Sequence, residues 1–234
     1  MNKIQIALLA TAFLAVQSTA SFALDVKLTP EKDTVKVKHQ GKSVTVQRIQ
    51  DTTHVVDDSW GKTSRKCPPF CSQPIEVAPG VKVAGEVEVF EFMETHVNKG
   101  TGLLIDARVE SWHKKGTIPG SINIPFTEFQ RKTGPELEKI MKLLGATKRS
   151  GVGMLEVTWD KTLKTIGLDP KRKGFWDFNN VKEVMLWCNG PWCGQSPHAI
   201  RGLLSLGFPA DKIHYYRGGM QMWLIMGLST VKPQ

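Results

Sequence analysis

Two cysteines lie five positions apart in "LWCNGPWCGQSPHAIRGLLSLGF", the stretch from Leu186 to Phe208. An apolar run ends at Cys188, and a helical pattern begins near Ser196. The loop between them holds Gly190, Pro191, Trp192, Cys193, Gly194 and Gln195. Glycines there let backbone N–H groups turn toward a common centre. Such a nest, with a helix N-terminus behind it, favours an anion. A cysteine at that centre has a depressed pKa, and thiolate is the reactive form of sulfur. The pattern therefore points to nucleophilic sulfur chemistry at Cys188. The plainer alternative is a Cys188–Cys193 disulfide that only pins the loop. Cys193 has two readings of its own: a thiol that resolves an intermediate on Cys188, or a structural or buried sulfur. Phosphate-monoester hydrolysis is excluded by spacing. It needs an arginine six positions after the nucleophile, and Gly194 stands there.

The elements that must position this loop follow from periodicity. "GEVEVFEFMETHV" reads as a helix stopped by "NKG", "TGLLIDAR" as a short apolar strand, and "TIPGSINIPF" as a turn and a strand. "GPELEKIMKLLGA" reads as a helix with Pro135 in its first turn. "EVMLW" is a strand before the loop, and Ser196-Pro197 opens a helix to Leu206, with serine as cap and proline at the first helical position. "KIHYY" is a strand and "GMQMWLIMG" a last helix. Thr147 to Asn180 is irregular. Helices alternating with strands apolar on both faces imply a parallel α/β sheet covered by helices on both faces. Binding sites in such sheets lie beyond the carboxyl ends of the strands, where Cys188 falls.

Upstream, residues 24–80 read as a small β-rich N-terminal extension. "DTVKVKHQGKSVTVQRIQD" alternates around the turn "HQGK". The Cys-Pro-rich linker "SRKCPPFCSQP" places Cys67 and Cys71 four apart. They read as a local disulfide or as a pair that exchanges with the later loop, and a zinc site has only these two ligands. Residues 1–23 read as a signal peptide: Lys3, an apolar run from Ile4 to Val16, then small residues up to a cleavage near Ala23. Export to the periplasm permits disulfides, and four cysteines allow three complete pairings. No later stretch reads as membrane-spanning. Removing Lys3 with the leader takes the formal charge from +9 to +8. The lysines are dispersed and no aromatic residues interleave with them. Nucleic acid is therefore not an expected partner, and the charge serves at most to steer anionic substrates.

Three stretches together, "LLIDARVESWHKKGTIPGSINIPF", "VMLWCNGPWCGQSPHAIRGLLSLGF" and "YYRGGMQMWLIMGL", resemble the rhodanese-like (sulfurtransferase) domain, from about Val81 onward, with the domain assigned to residues 81–234. The resemblance implies a single α/β domain and no metal or organic cofactor. It implies that Cys188 carries a persulfide, taking sulfur from a small anionic donor and passing it to a thiol or cyanide-like acceptor, or to a redox or sulfur-carrier protein. The loop amides from Asn189 to Ser196 would hold the persulfide. This loop differs from the family pattern. It has Gln195 where an arginine usually precedes the helix, is about two residues longer, and has no charge between Cys188 and Ser196. A thiosulfate dianion needs cations nearby. Arg108 and Arg217, each after a strand end, are the candidate replacements. Each also reads as a structural contact, Arg108 pairing Asp106 or Glu110. Trp192 is a candidate pocket rim, with Trp187 and Trp223 as core. His198, in the first turn of the helix, reads as an acid–base candidate or an exposed residue. Two other functions fit the same residues. A thiol–disulfide redox protein would use Cys188 and Cys193 without persulfide. A non-catalytic binding module would keep the fold to dock a partner.

Overall fold

The computed structural model describes residues 25–149, 151 and 175–233. The leader expected over residues 1–23, and most of the irregular stretch between Thr147 and Asn180, lie outside the described residues. Alternation builds the first element. Val35 and Val37 alternate with lysines, so β1 (Val35–His39) buries one face and exposes the other, and it pairs antiparallel with β2 (Lys42–Val46), where Val44 and Val46 alternate with Thr45. Gln40 and Gly41 both take positive φ in the turn between them, the geometry that matches the twist of a hairpin. A short helix, α1 (Asp58–Gly61), follows.

The central sheet has five parallel strands. Their order is β3 (Lys82–Ala84), β9 (Ile213–Tyr216), β8 (Glu183–Trp187), β4 (Gly102–Asp106), β5 (Ser121–Asn123). Short strands β6 (Thr147–Lys148) and β7 (Trp176–Asp177) form a separate antiparallel pair. Because side chains alternate across a strand, each strand feeds two cores. Val184 and Leu186 of β8, Ile105 of β4 and Tyr215 of β9 join one cluster. It is closed by α4 (Pro135–Leu143) and α5 (Gln195–Ser205), through Leu137, Met141, Ala199, Ile200 and Leu203. Met185 and Trp187 of β8, Leu104 of β4 and Tyr216 of β9 join the other. There α2 (Glu86–Phe92), running into a π-helical turn at Met93–Val97, packs beside α6 (Gly219–Ile225). Helices thus cover both faces, as the alternating pattern predicts. One more short helix, α3 (Glu110–His113), follows β4.

Two expectations change. The stretch from Asp25 to Lys66 is less β-rich than its alternation suggests. Beyond the hairpin and isolated bridges it is irregular, because its backbone bonds the C-terminal segment instead: Ile49 N donates to Gly227 O and Ser229 N to Gln47 O. Val35, Val37 and Val46 belong to the α2/α6 core. The edge strand β3 is also new. Three residues are too few to show a period, and pairing with β9, more than a hundred residues later, defines it. Among the described residues no helix is long and apolar enough to cross a membrane.

Glu183 opens β8 and ties the sheet's lower end together. It accepts from Lys212 Nζ at 2.7 Å and His214 Nε2 at 3.0 Å, and Lys82 lies 3.5 Å away. Burial pushes its carboxyl up, but these partners outweigh that and hold it at about 2, below the usual 4.5. A depressed folded pKa contributes stability above the unfolded value and loses it as pH falls toward the folded one. Stability is therefore expected to drop between about 4.5 and about 2. In equilibrium unfolding, Glu183→Gln should show a shallower decline across that window. Equal slopes in both proteins would remove Glu183 as the cause.

Candidate functional site

Cys188 directly follows β8, where the strand's hydrogen bonding ends and the chain must turn. The turn is fixed by α6. Met220 N donates to Cys188 O and Gln221 N to Asn189 O, each at 2.9 Å. These bonds bind the carbonyls of the loop's entry to α6, and Cys193 N closes the loop on Gly190 O at 2.9 Å. Glycine is required twice. A Cβ on Gly219, which has a φ of 55°, would overlap the Cys188 carbonyl. One on Gly190 would meet Gln221 Oε1 at 2.9 Å.

Within this frame Cys188 is 2% exposed and Cys193 5%, and both are free thiols. As a thiol, Cys188 Sγ donates to Cys193 O at 3.2 Å. As a thiolate it accepts from Ser196 Oγ at 3.0 Å. Burial pushes the Cys188 pKa up. Hydrogen bonds from the Cys193 thiol, the Ser196 hydroxyl and the backbone N–H groups of Ser196 and Gly190 outweigh this and bring it down to about 7. Cys193 is pushed strongly up, first by its hydrogen bond to Cys188 and then by burial. At neutral pH about half of Cys188 is thus thiolate, with Cys193 its protonated donor.

Ser196 differs from expectation. The helix begins one residue earlier, at Gln195, with Gly194 as its cap and no side-chain cap bond. The serine hydroxyl is instead turned onto Cys188. One charge-assisted hydrogen bond contributes about 1.5–3 kcal/mol. Ser196→Ala is therefore expected to move the pH inflection of Cys188 alkylation from about 7 to about 8 or above. An unshifted profile would show that the backbone amides suffice.

The two arginines are engaged elsewhere. Arg108 is buried in an ion pair with Asp106, through Nε at 2.8 Å and Nη2 at 2.6 Å, and its guanidinium lies 4.7 Å from the Trp187 ring centroid. Arg217 Nε donates to Gln73 O at 2.9 Å. Arg108 takes the structural alternative, because the Asp106 carboxylate lies within reach of its guanidinium, while Arg217 is tied through Nε alone and its charge acts on Tyr215 beside Cys188. His198 is exposed and its Nδ1 lies 2.6 Å from Gly194 O. Trp187 and Trp223 are fully buried. Asn189 Oδ1 and Gln195 Oε1 are buried without a hydrogen-bond partner among the described residues. So is the Tyr215 hydroxyl, whose proton is held on first by burial and then by the Cys188 thiolate. Among the described residues no three His, Cys, Asp or Glu side chains gather as a metal site.

The Cys-Pro segment roofs the loop. Cys67 and Cys71 are disulfide-bonded. Beyond them Gln73 N donates to Pro191 O at 2.9 Å. Phe70 meets Trp192 edge-on at 5.4 Å, and the Arg65 guanidinium lies 4.1 Å from the same indole. Trp192 Nε1 in turn donates to Gln221 Oε1 at 2.7 Å. Sequence spacing missed Gln73, Tyr215 and Gln221. None carries a motif: Gln73 and Gln221 act through Pro191, Trp192 and Trp60, distant in the chain, and the Tyr215 hydroxyl has no partner among the described residues.

The chain matches the family profile described as a rhodanese-like domain over residues 91–226, more than half its length. No curated protein matches it. Among solved structures it is similar to a rhodanese-related protein from Thermoplasma volcanium, at 19% identity, covering 65% of this chain and 99% of that one, with a TM-score of 0.37. It is similar to a Saccharomyces cerevisiae single-domain sulfurtransferase at 20% identity, covering 63% and 91%, with a TM-score of 0.36. It is also similar to a human single-domain sulfurtransferase at 16% identity, covering 62% and 96%, with a TM-score of 0.33.

Proposed function

The chain belongs to the rhodanese-like family, and from that premise we propose that it transfers sulfane sulfur through a persulfide on Cys188. The carrying observation is a buried Cys188 at a strand end whose sulfur lies 3.0 Å from the Ser196 hydroxyl, with the donors around it holding its pKa down. The thiolate attacks the sulfane sulfur of the donor. One S–S bond forms at Cys188, the donor's S–S bond breaks, and the leaving group departs with its electron pair. The N–H groups of Gly190 and Ser196 stabilise the negative charge, now on the outer sulfur. An acceptor thiolate or cyanide then attacks that outer sulfur and Cys188 leaves as thiolate.

With Arg108 paired to Asp106, the loop presents the neutral polar atoms of Asn189, Gln195 and Tyr215, with Arg217 as the nearby cation. That favours a singly charged organic persulfide donor over the thiosulfate dianion. Cys193 resolves the intermediate when no acceptor arrives. Its sulfur attacks the inner sulfur, forming the Cys188–Cys193 disulfide and releasing hydrosulfide, and an external thiol pair restores the dithiol. The Cys67–Cys71 disulfide supports an oxidising compartment, in keeping with an exported, periplasmic protein. A small-molecule thiol or a redox or sulfur-carrier protein is the acceptor.

The test is peptide mapping of the protein, its Cys188 and Cys193 reduced, after exposure to thiosulfate, polysulfide or a mercaptopyruvate-type donor. Added sulfur on Cys188, removable by cyanide, is the expected result. A Cys188–Cys193 disulfide with no added sulfur from any donor overturns the reading in favour of thiol–disulfide exchange.

A further inference from the structure

A cavity of about 520 Å³ lies on the α6 face of the sheet, and its lining does not include Cys188. Three parts of the chain wall it: Trp60 from the N-terminal segment, Trp112 and Lys115 after β4, and Met220 and Leu224 on α6, with Arg108 at its side. The volume suits a small organic molecule. The two indoles meet edge to face, with centroids 6.0 Å apart. Arg108 is 1% exposed. Its Nε and Nη2 serve Asp106 and Gly116 O, while Nη1 has no hydrogen-bond partner among the described residues. Since Asp106 balances the charge of Arg108, Nη1 offers a hydrogen bond and no net charge. Charge comes from Lys115, which is exposed and has its Nζ 4.9 Å from the Trp112 ring centroid. The carboxylate in the lining, Asp57, is engaged as the cap of α1, accepting from Ser59 N at 2.9 Å.

We propose that this cavity is a second binding site, for a flat aromatic acid, a ring system bearing one carboxylate or sulfonate. Its rings lie against Trp60 and Trp112 above Met220 and Leu224, and its acid group meets Arg108 Nη1 and Lys115 Nζ. The site adjoins the sulfur loop without belonging to it. Gln221 Nε2 donates to Trp60 O at 2.7 Å, while the same amide's oxygen holds Trp192. An occupant pressed against Trp60 therefore bears on the roof over Cys188.

The probe is 2-naphthoate, titrated calorimetrically into the full chain and into its Cys188→Ser variant. Saturable binding at one site is expected in both, so the outcome is independent of the sulfur reaction. The neutral methyl ester should bind about tenfold more weakly, the value of one charge-assisted hydrogen bond. Trp112→Ala should weaken the acid about tenfold, and Lys115→Gln several-fold, while narrowing the gap between acid and ester. Both residues are exposed, so both variants should keep the wild-type circular dichroism spectrum. Absence of saturable binding, equal affinity for acid and ester, or unchanged affinity in both variants would overturn the proposal.

Discussion

Cys188→Ser is expected to lower sulfur transfer by more than about 10³-fold while leaving the fold intact. The size of the effect comes from chemistry and not from packing. Serine fills nearly the same buried space, so the loop bonds from Met220, Gln221 and Cys193 persist. A hydroxyl, however, does not ionise near neutral pH and cannot carry a sulfane sulfur. Four donors that lower the thiol to about 7 are then aimed at an oxygen that stays protonated. The check is turnover with polysulfide and cyanide, followed as thiocyanate. A variant retaining a tenth of the wild-type rate would place the nucleophile elsewhere. Cys193→Ser separates the two sulfurs. It should still load Cys188, and persulfide should accumulate when acceptor is withheld. Unchanged turnover with no accumulation would remove Cys193 from the cycle.

Asp106→Asn should cost about 3–5 kcal/mol of folding stability. Burying two ions costs several kcal/mol each, and the pair is tolerated because every acceptor position on Asp106 is used. It accepts from Arg108 N, Nε and Nη2, from His113 Nδ1 at 2.9 Å and from Thr117 Oγ1 at 3.0 Å. Burial raises the Asp106 carboxyl, and these hydrogen bonds more than reverse that. Asparagine keeps the shape and removes the charge, so Arg108 is left as an uncompensated buried cation. Denaturant unfolding measures it. The contrast is Lys114→Ala, which breaks an exposed i,i+4 pair with Glu110 and should leave the unfolding midpoint nearly unchanged. A loss below about 1 kcal/mol in Asp106→Asn would mean that Arg108 finds water or another partner.

Periodicity made the strands and helices of the sheet readable. Val184 to Trp187 are apolar without interruption because both faces of β8 are covered. That same run placed Cys188 at a strand end. What periodicity does not carry is the partner. A serine before a proline reads as a cap from local sequence alone, yet eight residues back a thiol competes for its hydroxyl. Arg108 and Arg217 look available in one dimension and are held in three, by Asp106 and by the carbonyl of Gln73. Gln221 was invisible for the same reason: its contacts at Trp60 and Trp192 come from different parts of the chain. Gly219 was equally silent in the sequence, and its need for glycine shows only where the Cys188 carbonyl approaches it.

The cradle of the reactive sulfur is assembled from both ends of the chain. Gln73 braces Pro191 from one side, and the first turn of α6 anchors Cys188 and Asn189 from the other. Neither support exists in a nascent polypeptide, where Cys188 is an ordinary thiol ionising near 9.0 rather than about 7. At neutral pH that is roughly fifty-fold less thiolate. Synthesis therefore proceeds with a quiet cysteine. Reactivity switches on only when the folded loop brings Gly190, Cys193 and Ser196 around the sulfur.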